Sequence, residues 1–368
     1  MKQIYITLFA FFCFLTLQSQ IVVTNPLAIL AGHSDEVVCV AISPNGKYIA
    51  TGSWDKNINI YSADSFKLLK TLSGHSTVVN SLAFNKDSKF LVSTSNDHIV
   101  MVWDVESGTV KYRFFGHSDN VNSAVFDMQN KTVISGSRDQ TIKLWDITIN
   151  QILIKSINVG ASVNKVAITN DGRSILAATE KPDLLMFDMN GKQLKSFIGH
   201  KAPILAVAVA LNNRYIATAS VDKTVILWDP VSAKPLKTLT GFLQRVTGVA
   251  FSRDCKYLAT SSFDGTCKVW EVETGKVVYS FENNGINISD IAFSTDARII
   301  ATAPQIREVN NNGSRVFKAI EVVNTGAPNK DTPRPQTPAR TPGTPGTTTP
   351  GTQGTRRAPV DSATARPR

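Results

Sequence analysis

The chain has 368 residues, is 42% hydrophobic and 18% charged, and carries a net charge of +10 with only 4 cysteines. That composition excludes a collagen, a disulfide-dense miniprotein and a wholly disordered chain. Seven basic and two acidic residues place half of the net charge in residues 325–368, so the remaining 324 residues are only weakly basic and do not read as a nucleic-acid-binding domain.

Residues 1–20 read as a secretory signal peptide. Lys2 supplies a positive start, Ile4 to Leu17 is an apolar run, and Gln18-Ser19-Gln20 is a polar exit. The run is shorter than the roughly 18–20 residues of a membrane-spanning helix. An uncleaved signal anchor is the alternative reading. Export implies a secreted, periplasmic or cell-envelope location, against a cytoplasmic or signal-anchored one.

From residue 32 one unit recurs. Gly-His occurs at 32–33, 74–75, 116–117 and 199–200. An aromatic residue recurs at Tyr61, Trp103, Trp145, Phe187, Trp228 and Trp270, followed each time by a polar residue that is acidic in all but the first. Six positions before the aromatic stand Asp55, Asp97, Asp139, Asp222 and Asp264, with Lys181 in the fourth repeat. A period of about 42 residues marks a solenoid, propeller or array. The repeats run approximately 32–73, 74–115, 116–157, 158–198, 199–240, 241–282 and 283–324, within a domain of 21–324. The repeats before the seventh each offer four short apolar stretches separated by turn residues such as Pro44-Asn45-Gly46, the pattern of strands and not of helices.

The Gly-His, the turn Asp and the closing Trp-Asp resemble the WD-repeat family. The resemblance implies an all-β fold, a seven-bladed β-propeller of four-stranded antiparallel blades. Leu27-Ala28-Ile29-Leu30 precedes the first Gly-His, and the seventh repeat lacks a fourth strand. The ring is therefore expected to be closed by the N-terminal strand, which removes two open sheet edges. The seventh repeat departs most: Asn284 stands where His is expected, and Ile320-Glu321 replaces Trp-Asp.

The resemblance also implies that His, turn Asp, a second-strand Ser or Thr and Trp form a buried hydrogen-bond network in each blade. Its members here are His33, Asp55, His75, Asp97, Trp103, His117, Asp139, Trp145, His200, Asp222, Trp228, Asp264 and Trp270. The four histidines occupy one repeat position in different blades, so they are not read as metal ligands. No metal, cofactor or catalytic residue is expected: there is no Gly-rich phosphate loop, no Gly-x-Ser-x-Gly and no His-Glu-x-x-His. Cys39, Cys255 and Cys267 show no metal spacing and no disulfide framework.

Positions that differ between repeats then carry specificity. The resemblance places on the narrow top face the residue before each turn Asp and the third and fifth residues after the His position. Repeats 2 to 4 give a polar arc of Asn80, Asn122 and Asn164 with Arg138. Repeats 5, 6 and 1 give an apolar arc of Leu205, Val221, Phe263, Val38 and Trp54. These residues are the expected partner-binding surface of a non-catalytic protein-interaction scaffold, a monomeric propeller within a larger complex, with no specific nucleic acid and no membrane span after signal removal. A cytosolic or membrane-anchored adaptor with a phosphorylatable tail is the first alternative, and a channel-bound enzyme or small-ligand binder the second. The tail, 325–368, has 11 Thr, 9 Pro and no aromatic residue. It cannot bury enough apolar surface to offset the entropy of ordering, and is expected to be disordered.

Overall fold

The computed structural model describes residues 21–23, 28–148, 152–282, 286–296, 299–305, 308–309 and 315–316. The chain divides into two units, Met1–Ala327 and Pro328–Arg368. The expected signal peptide and tail lie outside the described residues.

The first strand, β1, is Ile21–Val23. Blade 1 is β2 (Val37–Ile42), β3 (Tyr48–Ser53), β4 (Asn57–Ser62) and β5 (Leu68–Ser73). Blade 2 is β6 (Val79–Phe84), β7 (Phe90–Ser95), β8 (Val100–Asp104) and β9 (Val110–Phe114). Blade 3 is β10 (Val121–Phe126), β11 (Thr132–Ser137), β12 (Thr141–Asp146) and β13 (Leu153–Asn158). Blade 4 is β14 (Val163–Ile168), β15 (Ser174–Thr179), β16 (Leu184–Asp188) and β17 (Gln193–Phe197). Blade 5 is β18 (Ile204–Val209), β19 (Ile216–Ser220), β20 (Val225–Trp228) and β21 (Pro235–Leu239). Blade 6 is β22 (Val246–Phe251), β23 (Tyr257–Ser262), β24 (Thr266–Glu271) and β25 (Val277–Glu282). The seventh repeat contributes β26 (Ile288–Phe293) and β27 (Ile300–Pro304), followed by a short pair, β28 (Glu308–Val309) and β29 (Arg315–Val316).

Every blade is an antiparallel meander in sequence order. The first strands pack on one another around the ring, and β26 sits between β22 and β2, so the seventh repeat closes the circle. The four-stranded antiparallel propeller expected from the repeats is thus observed for six blades. At the seventh position the described residues give only the antiparallel pair β26–β27. The third strand expected within 316–322 lies almost wholly outside the described residues.

The expected closure needs correction. Residues 28–30 form no ladder, and β1 runs parallel to β25, with Ile21 opposite Tyr279 and Val23 opposite Phe281. The N-terminal strand is therefore a fifth strand on blade 6. Its β-branched residues suit a sheet edge, and Pro26, which has no N–H to give, interrupts the run before the Leu27–Leu30 stretch. Leu30 is nevertheless fully buried, against Val37, Ile49 and Tyr61 of blade 1 and Ala301 and Ala303 of β27. It keeps the packing place of a fourth-strand leucine without the strand.

The core lies between blades, not within them. Val92, Val100 and Phe114 of blade 2, for example, pack on Val121, Val133 and Trp145 of blade 3. Second strands are buried almost throughout and outer strands largely exposed, as in β11 and β13. At Gly136 a Cβ would stand 2.5 Å from Val163, so blade 4 can approach blade 3 only where there is no side chain. Cys39, Cys255 and Cys267 are buried, and none of them is in a disulfide. Burial, with the charge of Asp290, pushes the Cys39 thiol far above its usual range. Among the described residues no helix is long and apolar enough to cross a membrane.

Candidate functional site

The repeated polar residues converge inside each blade. In blade 3, His117 Nδ1 lies 2.7 Å from Asp139 Oδ2 and Nε2 lies 2.7 Å from Ser135 Oγ, while Trp145 Nε1 donates to the same Oγ at 2.8 Å. A carboxylate only accepts, so Nδ1 carries the proton and Nε2 accepts the serine proton. The serine oxygen is then free to accept from the indole. One neutral imidazole satisfies all four groups.

Blade 2 repeats this with His75, Asp97, Ser93 and Trp103, and blade 5 with His200, Asp222, Thr218 and Trp228. In blade 1, His33 bridges Asp55 and Thr51. Tyr61 replaces the Trp there and donates to the Ala31 carbonyl. In blade 6, Phe242 replaces His and packs at a tilt against Trp270, with the Lys268 ammonium 4.8 Å from its ring. Asp264 still accepts from the Leu243 amide, and Trp270 still donates to Thr260.

Burial pushes the Asp139 carboxyl up, but hydrogen bonds from Thr141 and His117 outweigh it and hold it below the usual carboxylate range. Burial likewise pulls His117 and His200 below the ordinary histidine value, against the pull of their aspartates. Both ring nitrogens of His33, His75, His117 and His200 are engaged within their own blades. Among the described residues no three potential metal ligands cluster. His98 follows a turn Asp with a left-handed φ of 68°, as do Lys56, Gln140 and Lys223, so it is a turn residue.

The turn aspartates mark one end of the ring. There the residue before each Asp position donates its backbone N–H to the residue 18 places earlier. The pairs include Trp54 with Glu36, Arg138 with Asn120, Glu180 with Ser162, Val221 with Pro203, Phe263 with Arg245, and Gln305 with Asn287. These bonds set side chains side by side. Trp54 is 45% and Val221 38% exposed, whereas Val38, Leu205 and Phe263 are half-buried. The apolar arc is less continuous than expected. The Arg245 guanidinium lies 3.9 Å from the centre of the Phe263 ring, and Gln305 occupies the position in the seventh repeat. Sequence spacing located Arg245 without showing that it covers Phe263.

The asparagines of the polar arc have a use that spacing did not reveal. Asn80 Nδ2 donates to the Val121 carbonyl, Asn122 Nδ2 to Val163 and Asn164 Nδ2 to Ile204, at 2.8–3.0 Å. Each staples its blade to the next. Thr247 does the same to Ile288 at 2.7 Å. Val38 and Leu205 stand at this position in blades 1 and 5 and offer no such donor. Arg138 is 65% exposed, 3.9 Å from the Asp119 carboxylate. Beside it opens a cavity of about 660 Å³ lined by Asn120, Asn122, Arg138, Ser162, Asn164 and Glu180. At the opposite end of the ring a cavity of about 500 Å³ is walled by Phe84, Phe126, Phe251 and Phe293, with Lys86 and Arg253 among its lining residues.

The family model of the WD domain, G-beta repeat, matches residues 24–62, 66–104, 108–146, 191–229 and 233–271, together more than half of the chain. The chain is a WD40-repeat protein. Four of the five matches end on the acidic residue that follows Trp103, Trp145, Trp228 and Trp270. The stretches left unmatched hold the fourth and seventh repeats, where the sequence lacks both the His and the turn Asp. No curated protein matches the chain. WD40 propellers are typically non-catalytic scaffolds that bind other proteins.

Proposed function

We propose that this WD40 protein is an exported, non-catalytic scaffold that engages a partner protein through the ring end bearing the turn aspartates. One observation carries the reading. Trp54 stands 45% exposed on a turn whose backbone is pinned to Glu36 and whose next residue, Asp55, is locked to His33. A large aromatic on a rigid mount loses little entropy on binding and suits an interface anchor. Val38, Leu205, Val221 and Phe263 extend the surface, with Arg245 and Glu36 as its charged rim. Arg138 belongs to the polar side of the same face.

Export rests on residues 1–20. The seven-blade reading rests on the seven-fold period and on β26 holding the seventh place in the ring. N-terminal sequencing of protein from the native host tests export: a first residue near Ile21 supports it, and an intact Met1 refutes it. The binding surface is tested by affinity capture from that host with wild type, Trp54→Ala and Phe263→Ala, each beside its thermal melt. Loss of one partner band with an unchanged melt is expected. Undiminished recovery by both variants would remove this surface.

A further inference from the structure

The cavity beside Arg138 differs from the rest of the face because all its walls are polar. Asn122 and Asn164 spend their Nδ2 donors on the seam, at 2.8 Å to Val163 O and 3.0 Å to Ile204 O. These bonds fix which way each amide faces, since an oxygen in that place would meet a carbonyl oxygen. Their Oδ1 atoms accept no hydrogen bond among the described residues. Glu180 adds a carboxylate at the lip, exposed and without an ion pair among the described residues. The one cation of the lining, Arg138, has Asp119 for company, and Asp119 is outside the cavity. The lining therefore offers two amide oxygens and one carboxylate, Glu180, that no donor among the described residues engages, beside one cation, Arg138, that has Asp119 as its neighbour.

We propose that this cavity receives a cationic side chain, guanidinium or ammonium, from the segment that binds the face. Such a group carries only donors, three or five of them, and charge-assisted bonds to a carboxylate are the strong ones. Glu180 supplies the charge, and the Asn122 and Asn164 oxygens supply the remaining acceptors. An apolar side chain would leave these acceptors unpaired, and an acidic one, although Arg138 lines the same cavity, would meet the Glu180 carboxylate and both amide oxygens. The inference rests on the ring end proposed above as the binding face, but not on its apolar arc. The face then reads two features of a partner: an apolar anchor at Trp54 and a basic residue across the channel mouth.

The test is titration of the ¹⁵N-labelled protein with Nα-acetyl-argininamide, Nα-acetyl-lysinamide, Nα-acetyl-norleucinamide and Nα-acetyl-glutamate amide, observing the Asn122 and Asn164 side-chain amides. Saturable shifts are expected for the two cations and not for the neutral and acidic amides. Glu180→Gln should weaken the response about tenfold, as loss of the one charged acceptor implies. Trp54→Ala should leave it unchanged, so failure of the apolar arc and failure of this cavity are read separately. No shift with either cation, an equal response to the neutral or acidic amide, or full binding by Glu180→Gln would overturn the proposal.

Discussion

An imidazole in blades 2, 3 and 5 joins a carboxylate to the hydroxyl that accepts from the indole, so removing the ring takes a partner from the carboxylate and from the hydroxyl. His117→Ala should therefore cost about 2–3 kcal/mol, since it leaves the buried Ser135 hydroxyl and the Asp139 carboxylate each short of a partner. Asp264→Ala in blade 6, where no histidine depends on the carboxylate, should cost less than Asp139→Ala in blade 3; chemical denaturation of the four proteins gives the comparison. Protonation acts on the same bonds, because a charged ring would turn Nε2 from acceptor to donor. The folded-state values of His117 and His200 lie below 6.5, so the unfolded chain binds more protons just under that pH. Their stabilisation is complete above pH 6.5 and is lost as the pH falls below it. The melting temperature should drop over that interval, and His117→Ala should show a shallower drop. A pH-independent melt there would show that these rings are not held neutral.

Strands and blades were the most legible level of the sequence, because period and turn chemistry act over a few residues. Contacts between blades were not legible. Asn122 meets a carbonyl 41 residues on, and Arg245 meets Phe263 18 residues on; spacing gives their positions but not what the amide or guanidinium touches. Asn122→Leu should cost about 1–3 kcal/mol by leaving the Val163 carbonyl unpaired. Asn122→Thr, which copies Thr247, should keep most of the stability. Equal melts for Leu and Thr at this position would mean that the staple contributes nothing. The N-terminal segment shows the same limit. Its pairing partner was misread, since an extended apolar stretch can add to any open edge, whereas its buried leucine has one place to go. Leu30→Ala should cost about 2–5 kcal/mol, and removal of residues 21–23 about 1 kcal/mol or less. The reverse order in urea melts would place the anchor in β1 instead.

Across the whole ring, a shared framework carries a face that differs from blade to blade. The framework residues spend their polar atoms on one another, so the variable residues set what the surface can bind. Trp54→Ala, at an exposed turn, should weaken partner binding by about 2 kcal/mol or more and move the melt little. Affinity measured against the captured partner, beside the melt, decides whether the residue acts in binding or in folding. The family framework was read from one sequence because it is repeated within it. The covered Phe263 ring and the stapling asparagines were not, because each depends on a contact with a residue outside its own strand that spacing does not show.

The buried thiols carry a last consequence. Cys39, Cys255 and Cys267 are enclosed and outside any disulfide, and Cys39 resists becoming the thiolate that attacks a disulfide. Among the described residues no disulfide holds the ring and each thiol is enclosed. The fold therefore does not need an oxidising compartment to be held together, and the thiols of the folded ring are shielded wherever it resides.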